Sequence, residues 1–160
     1  MRKRDVSPPP PRVGEGKRGE DGYLGYLLRQ AAAAYRQGVE RALTDLDVTP
    51  PQFAVLTMLN AYPGLSGADL ARLSLLTPQT VSLIVANLER AGSVVRRAHE
   101  VHGRIQHLDV SESGLALLAT CRKRVDSIEA DVTRGLSKDE EALVRRWLVR
   151  VATTCGSQST

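Results

Sequence analysis

Between Thr77 and Gly92 the sequence reads TPQTVSLIVANLERAG, and helical spacing sorts it into two faces. Val81, Ile84, Val85 and Leu88 recur at steps of three and four and make an apolar stripe. The opposite face carries Gln79, Thr80, Ser82, Leu83, Asn87 and Arg90. Gln79, Thr80, Ser82 and Asn87 are polar but uncharged, whereas a merely solvated helix face is usually laced with Lys and Glu. Side chains of this length and type suit the edges of DNA bases. Gln and Asn can bond adenine in a bidentate way, and a Thr methyl or Leu83 can touch the methyl of thymine. A helix about 10–12 Å across fits a major groove about 12 Å wide. The chemistry this helix offers is therefore non-covalent reading of double-stranded DNA.

Two further features fit the same task. Thr77 is placed to cap the helix, with Pro78 at its first position, and the free N–H groups of such an end attract a phosphate. The Thr77 and Thr80 hydroxyls could support that contact. Beyond Gly92, Arg104 falls in a turn between two β-compatible runs, where it could enter a minor groove or grip a phosphate. Arg96 and Arg97 alternate across the first of these runs, so only one can meet the DNA backbone well, and Arg97 is the candidate.

The elements that must position these residues follow from periodicity and end signals. Residues 1–22 contain four consecutive prolines, with six basic and four acidic side chains, and read as a flexible arm. Leu24, Leu27, Leu28, Ala31, Tyr35, Val39, Ala42 and Leu46 predict a long helix over 23–46. Thr49, Pro50 and Gln52 predict a capping box opening a helix that ends at Tyr62–Gly64. Ser66 and Asp69 open a short helix over about 67–74, and Gly92 stops the reading helix. The runs at about 94–99 and 105–110 predict a two-stranded hairpin. Ser111 then caps a helix with a seam of Leu118, Cys121, Val125, Ile128 and Val132, and Ser137 with Glu140 opens a last one carrying Leu143, Trp147, Leu148 and Val151. The expected fold is mainly α with a small β-hairpin: a winged helix-turn-helix over 50–111, with the outer helices in a separate layer.

Composition bounds the alternatives. The 160 residues are 42% hydrophobic but only 4% aromatic, so the core must be aliphatic, and the formal net charge of +4 permits an anionic partner without demanding one. No run of about 18 uncharged apolar residues predicts a membrane span, and the N-terminus lacks the apolar segment of a secretory signal, so a cytoplasmic protein is expected. His99, His102 and His107 cluster on the hairpin, but they would have to converge from opposite sides of it with no Cys nearby, so neither metal nor cofactor is expected. Cys121 reads as a small buried hydrophobe and Cys155 lies near the chain end. Asp139, Glu140 and Glu141 sit in the first turn of a helix, where they complement its dipole, and no phosphate loop, dinucleotide fingerprint, nucleophile elbow or zinc-protease motif occurs, so no enzyme is expected.

The stretch LSGADLARLSLLTPQTVSLIVANLERAGSVVRRAHEVHGRIQHLDVSESG, from Leu65 to Gly114, resembles the MarR family of bacterial winged-helix regulators. The likeness extends over about 23–154 and rests on the L-E-R-x-G-x-V-x-R run, the arginine-tipped wing and the Ser-x-x-Gly helix start. It implies a homodimer in which helices at 23–49 and 112–154 interlock. Two reading helices would then enter successive major grooves of a pseudo-palindromic operator, and the protein would act as a ligand-responsive repressor. It also implies a small-molecule effector site between the dimer layer and the DNA-binding lobe, for which Tyr26, Tyr35 and Met58 are the candidates. Two positions depart from the family pattern: His102 stands where an Asp is usual before the wing arginine, and Leu83 where a basic residue is common. Two other readings compete. One is a regulator of the same fold switched by thiol oxidation, although the first helix has no cysteine. The other is a winged-helix protein-interaction module without specific DNA contact.

Overall fold

A computed structural model describes residues 9–98 and 106–156. Its elements are α1 (Leu24–Leu43), α2 (Pro50–Ala61), α3 (Gly67–Leu73), α4 (Pro78–Arg90), β1 (Val94–Ala98), β2 (Gln106–Val110), α5 (Glu112–Thr133) and α6 (Lys138–Gly156). β1 and β2 pair antiparallel, with Val94 opposite Val110 and Ala98 opposite Gln106. The fold is mainly α with one hairpin, as the sequence predicts.

The local signals act where expected. At α2 the Thr49 side chain accepts from the Gln52 N–H while the Thr49 N–H donates back to Gln52 Oε1 at 2.8 Å, a complete capping box with proline at the first position. The same reciprocal pair joins Ser137 and Glu140 at α6, and the two hydrogen bonds from the Ser137 backbone and hydroxyl hold the Glu140 carboxyl below the usual range. Ser66 caps α3, and Ser111 caps α5.

Three boundaries differ from the sequence reading. The first helix stops at Leu43, and Thr44–Leu46 continue as a tighter 3-10 turn that ends on Asp47 in the left-handed region. That turn carries no Gly or Pro to announce it; it lets the chain double back so that Val48 is buried beside Leu43. The short helix ends one residue early, at Leu73. The N-terminal segment, expected as a flexible arm, has a 3-10 turn at Gly16–Arg18 that lies against α1. There Arg18 Nε donates to Gln30 Oε1 at 3.2 Å, and Gln30 Nε2 returns a bond to the Arg18 carbonyl at 3.0 Å. Polar contacts, which composition does not register, hold this segment.

Two apolar clusters organise the chain. The first joins Val55, Leu56 and Leu59 of α2, Leu70 of α3, the Val81–Leu88 stripe of α4, Val94, Leu108 and Leu118. The second lies where α1 meets α5, and holds Val39, Leu43, Val48, Cys121 and Val125. Phe53 and Leu117 pack against both. In α6, by contrast, no described residue is buried, and Leu143, Val144, Leu148 and Val149 are exposed.

Candidate nucleic-acid interface

α4 is anchored by its apolar stripe: Val81, Ile84, Val85 and Leu88 are all buried, against α2 and α3. This fixes which residues face outward. Gln79, Thr80, Ser82, Leu83 and Arg90 are exposed, and Asn87 is half-buried at the margin of the same face. Leu83 keeps 64% of its surface open, a large apolar side chain on an otherwise polar face.

Hydrogen bonding decides what this face can still offer. The Thr77 hydroxyl accepts from the Thr80 N–H at 3.2 Å and lies 2.8 Å from the Thr80 hydroxyl. Ser82 donates its hydroxyl to the Pro78 carbonyl at 2.9 Å, leaving its lone pairs outward. Among the described residues, no hydrogen bond engages the side-chain amides of Gln79 or Asn87. In the first turn Pro78 has no N–H and that of Thr80 is capped, so the Gln79 N–H is the donor left at the positive end of the helix dipole. The face therefore presents two amides, an anion-seeking N–H and an apolar methyl surface.

The hairpin is tied to this helix and to the loop before α3. Arg96 Nε bonds Glu89 Oε1 of α4 at 2.7 Å. The Glu and the final Arg of the L-E-R-x-G-x-V-x-R run thus pair with one another, a structural use of that spacing which sequence reasoning missed. Arg97 points to the other face, as strand alternation predicts, and its Nε lies 3.2 Å from Asp109 Oδ2. Its guanidinium remains largely exposed but is no longer an uncommitted cation. His107 bonds the Gly64 carbonyl through Nδ1, and Leu65 bridges to Leu108, so the α2–α3 loop is stitched to β2. Arg104, His99 and His102 lie outside the described residues.

The turn between α4 and β1 is closed by Gly92, which adopts φ +75°, and by the start of α5. The Ser111 N–H donates to the Ser93 carbonyl at 3.0 Å, and the Ser111 and Ser113 hydroxyls both donate to the Gly92 carbonyl, at 2.5 and 2.9 Å. Gly114 is wedged against this knot, because a Cβ there would lie 2.0 Å from the Ser93 carbonyl oxygen. The Ser-x-x-Gly start of α5 is a joint that fastens this helix to the turn between α4 and β1.

The three effector candidates are not brought together. Tyr26 lines a shallow groove of α1 with Val13, Arg18, Arg29 and Gln30. Tyr35, nine residues on, donates its hydroxyl to Glu129 of α5; burial, with that carboxylate beside it, pushes its pKa up to about 12. Met58 packs against the first apolar cluster. Cys121 is fully buried, and burial pushes its thiol up, away from the thiolate that oxidation needs; Cys155 is exposed.

A capped helix with a largely uncharged outer face, seated on two supporting helices and followed by an antiparallel hairpin, defines a winged helix-turn-helix protein. The MarR family model matches residues 46–105. The HTH-type transcriptional repressor Rv2887 of Mycobacterium tuberculosis is 36% identical over 132 residues, 82% of this chain and 95% of the relative. The chain belongs to the MarR family of transcriptional regulators. The crystal structure of Rv2887 with salicylic acid superposes with a TM-score of 0.67, at 36% identity, covering 82% of this chain and 98% of that one. The Staphylococcus aureus MepR–DNA complex superposes with a TM-score of 0.76, at 25% identity, over 85% of this chain and 99% of that one.

Proposed function

We propose that this chain is a sequence-specific, double-stranded-DNA-binding repressor that acts as a homodimer on a pseudo-palindromic operator and is released by a small-molecule effector. The observation that carries the reading is the outer face of α4. Gln79, Thr80, Ser82 and Leu83 stand exposed and uncharged, Asn87 flanks them, and Thr77 closes the helix end. MepR in complex with DNA supports the same use of this scaffold. In this reading Gln79 and Asn87 read bases, Leu83 meets a thymine methyl, and Thr77, Thr80 and Ser82 steady the approach. Arg104 serves as the wing contact. Arg97 is a secondary phosphate contact that shares its charge with Asp109.

The dimer is supported by surface that the single chain leaves uncovered. α6 buries none of its described residues yet carries four exposed large aliphatics and the half-buried Trp147, more apolar surface than a solvated helix carries. A second copy laid along α1, α5 and α6 would cover it and set two α4 helices about 34–36 Å apart, one turn of the duplex. Salicylic acid bound to Rv2887 supports an aromatic carboxylate as the effector class. Such a ligand acts only by favouring a dimer whose half-site spacing fails the duplex. Among the described residues no helix is long and apolar enough to cross a membrane, and DNA as target implies a cytoplasmic protein.

The test is selection of bound duplexes from random DNA with the purified full chain. A palindromic product lost with Gln79→Ala is expected. Recovery of no preferred sequence, with affinity unmoved by Gln79→Ala or Arg104→Ala, would leave a winged-helix module that binds protein instead.

A further inference from the structure

The turn joining α3 to α4 is a Schellman motif with the wrong residue in it. The Leu76 N–H bonds the Ala71 carbonyl at 3.0 Å, and the Leu75 N–H bonds that of Arg72 at 3.3 Å, the two bonds that close such an end. The motif requires a left-handed residue between them, a place where glycine is usual because a Cβ crowds the following carbonyl. Here Leu75 occupies it at φ +56°, a conformation that is an outlier for a bulky side chain. Among the described residues nothing packs over it to compensate. The apolar contact that usually accompanies this motif falls to Leu76, which packs on the first cluster, whereas Leu75 is 91% exposed. A strained and solvated leucine, where glycine would be at ease, points to a contact outside the chain.

Its position selects the partner. Leu75 precedes the Thr77 cap by two residues, so its Cα is at most about 7 Å from that of Thr77. It therefore flanks the helix end whose Gln79 N–H and paired Thr hydroxyls suit a phosphate. Next to a phosphate on a DNA strand lies a deoxyribose, which offers an apolar surface and no charge. We propose that Leu75 is a DNA-contacting residue whose isobutyl group packs on the deoxyribose beside the phosphate held at the start of α4. The proposal rests on the DNA-binding reading above and adds to it an uncharged contact that strengthens binding without adding to its salt dependence.

The experiment uses the full chain and a duplex selected from random DNA by the wild-type protein. Leu75→Gly and Leu75→Ala are compared with wild type by thermal melting and by titration at several salt concentrations. Glycine relieves the left-handed strain, so Leu75→Gly should melt at or slightly above wild type. Both variants should bind about five- to tenfold more weakly, from the lost burial of part of a leucine. The slope of log affinity against log salt should not change, because no phosphate contact is removed. Binding within twofold of wild type would overturn the proposal, leaving Leu75 strained without use. So would a Leu75→Gly protein that melts lower, which would place the side chain in the service of the fold, or a slope reduced by about one, which would mark a displaced phosphate contact. A wild-type protein that selects no duplex would instead fail the DNA-binding reading, before any variant is made.

Discussion

Replacing Gly114 by Ala should destabilise the fold by an amount that can be worked from its surroundings. The added Cβ would lie 2.0 Å from the Ser93 carbonyl oxygen and 2.8 Å from Val110 Cγ1, against an ordinary contact of 3.4 Å or more. Helix α5 and the α4–β1 turn must therefore part by more than 1 Å. The Ser93 carbonyl cannot retreat freely, since it accepts from the Ser111 N–H, and the Gly114 N–H is itself the group capped by Ser111 Oγ at 3.0 Å. Overpacking costs about 1–3 kcal/mol and a disturbed N-cap about 1 kcal/mol. Alanine returns about 0.5–1 kcal/mol of helix preference. The net is a loss of about 1–3.5 kcal/mol, or about 2–14 °C in Tm for a chain of this size. Urea denaturation and thermal melting at one fixed protein concentration measure it, since self-association shifts both. Gly67→Ala is the control: nothing lies within 4 Å of its Cβ, so it should be neutral or stabilising. A Gly114→Ala protein within 1 kcal/mol of wild type would refute the argument that this joint is closed to a methyl group.

Gln79→Ala should weaken binding to the selected duplex by about 1–3 kcal/mol and relax the preference at one base pair with the salt slope intact, whereas Arg104→Ala should lower the slope by about one. Titrations at several salt concentrations separate the two. Leu148→Asp should shift the chain towards monomer in sedimentation equilibrium and abolish binding to a full palindrome; an unchanged dimer would remove α6 from the proposed interface. Tyr35→Phe tests the α1–α5 link. Because the Tyr35 pKa is raised above its ordinary value of 10.0 to about 12, its contribution is fully present below pH 10 and fades as pH rises towards 12. The stability gap between wild type and Tyr35→Phe in urea should narrow across that window.

What could be read in the sequence was whatever a few neighbouring residues settle among themselves. Thr49 with Gln52, Ser137 with Glu140 and the Thr77 cap needed only a side chain and a backbone three residues away. The buried face of α4 followed from spacing alone, and with it the candidate reading face. What escaped depends on partners distant in the chain or on conformations without a residue signature. Glu89 and Arg96 meet because a turn folds back between them, and His107 finds a carbonyl 43 residues away. Tyr26, Tyr35 and Met58 had only their types to recommend them as a group, and helix direction sends each to different neighbours. Leu75 and Asp47 take left-handed conformations that no glycine announces.

Phe53 and Leu117 belong to both apolar clusters. The two clusters consequently share one interior. Phe53 projects from α2 and Leu117 from α5, so the packing that seats α4 on α2 runs on without a break into the packing of α1 on α5. Leu118, one residue on in α5, is buried in the first cluster while Cys121 is buried in the second, so a substitution in either cluster is felt by the helix that serves both.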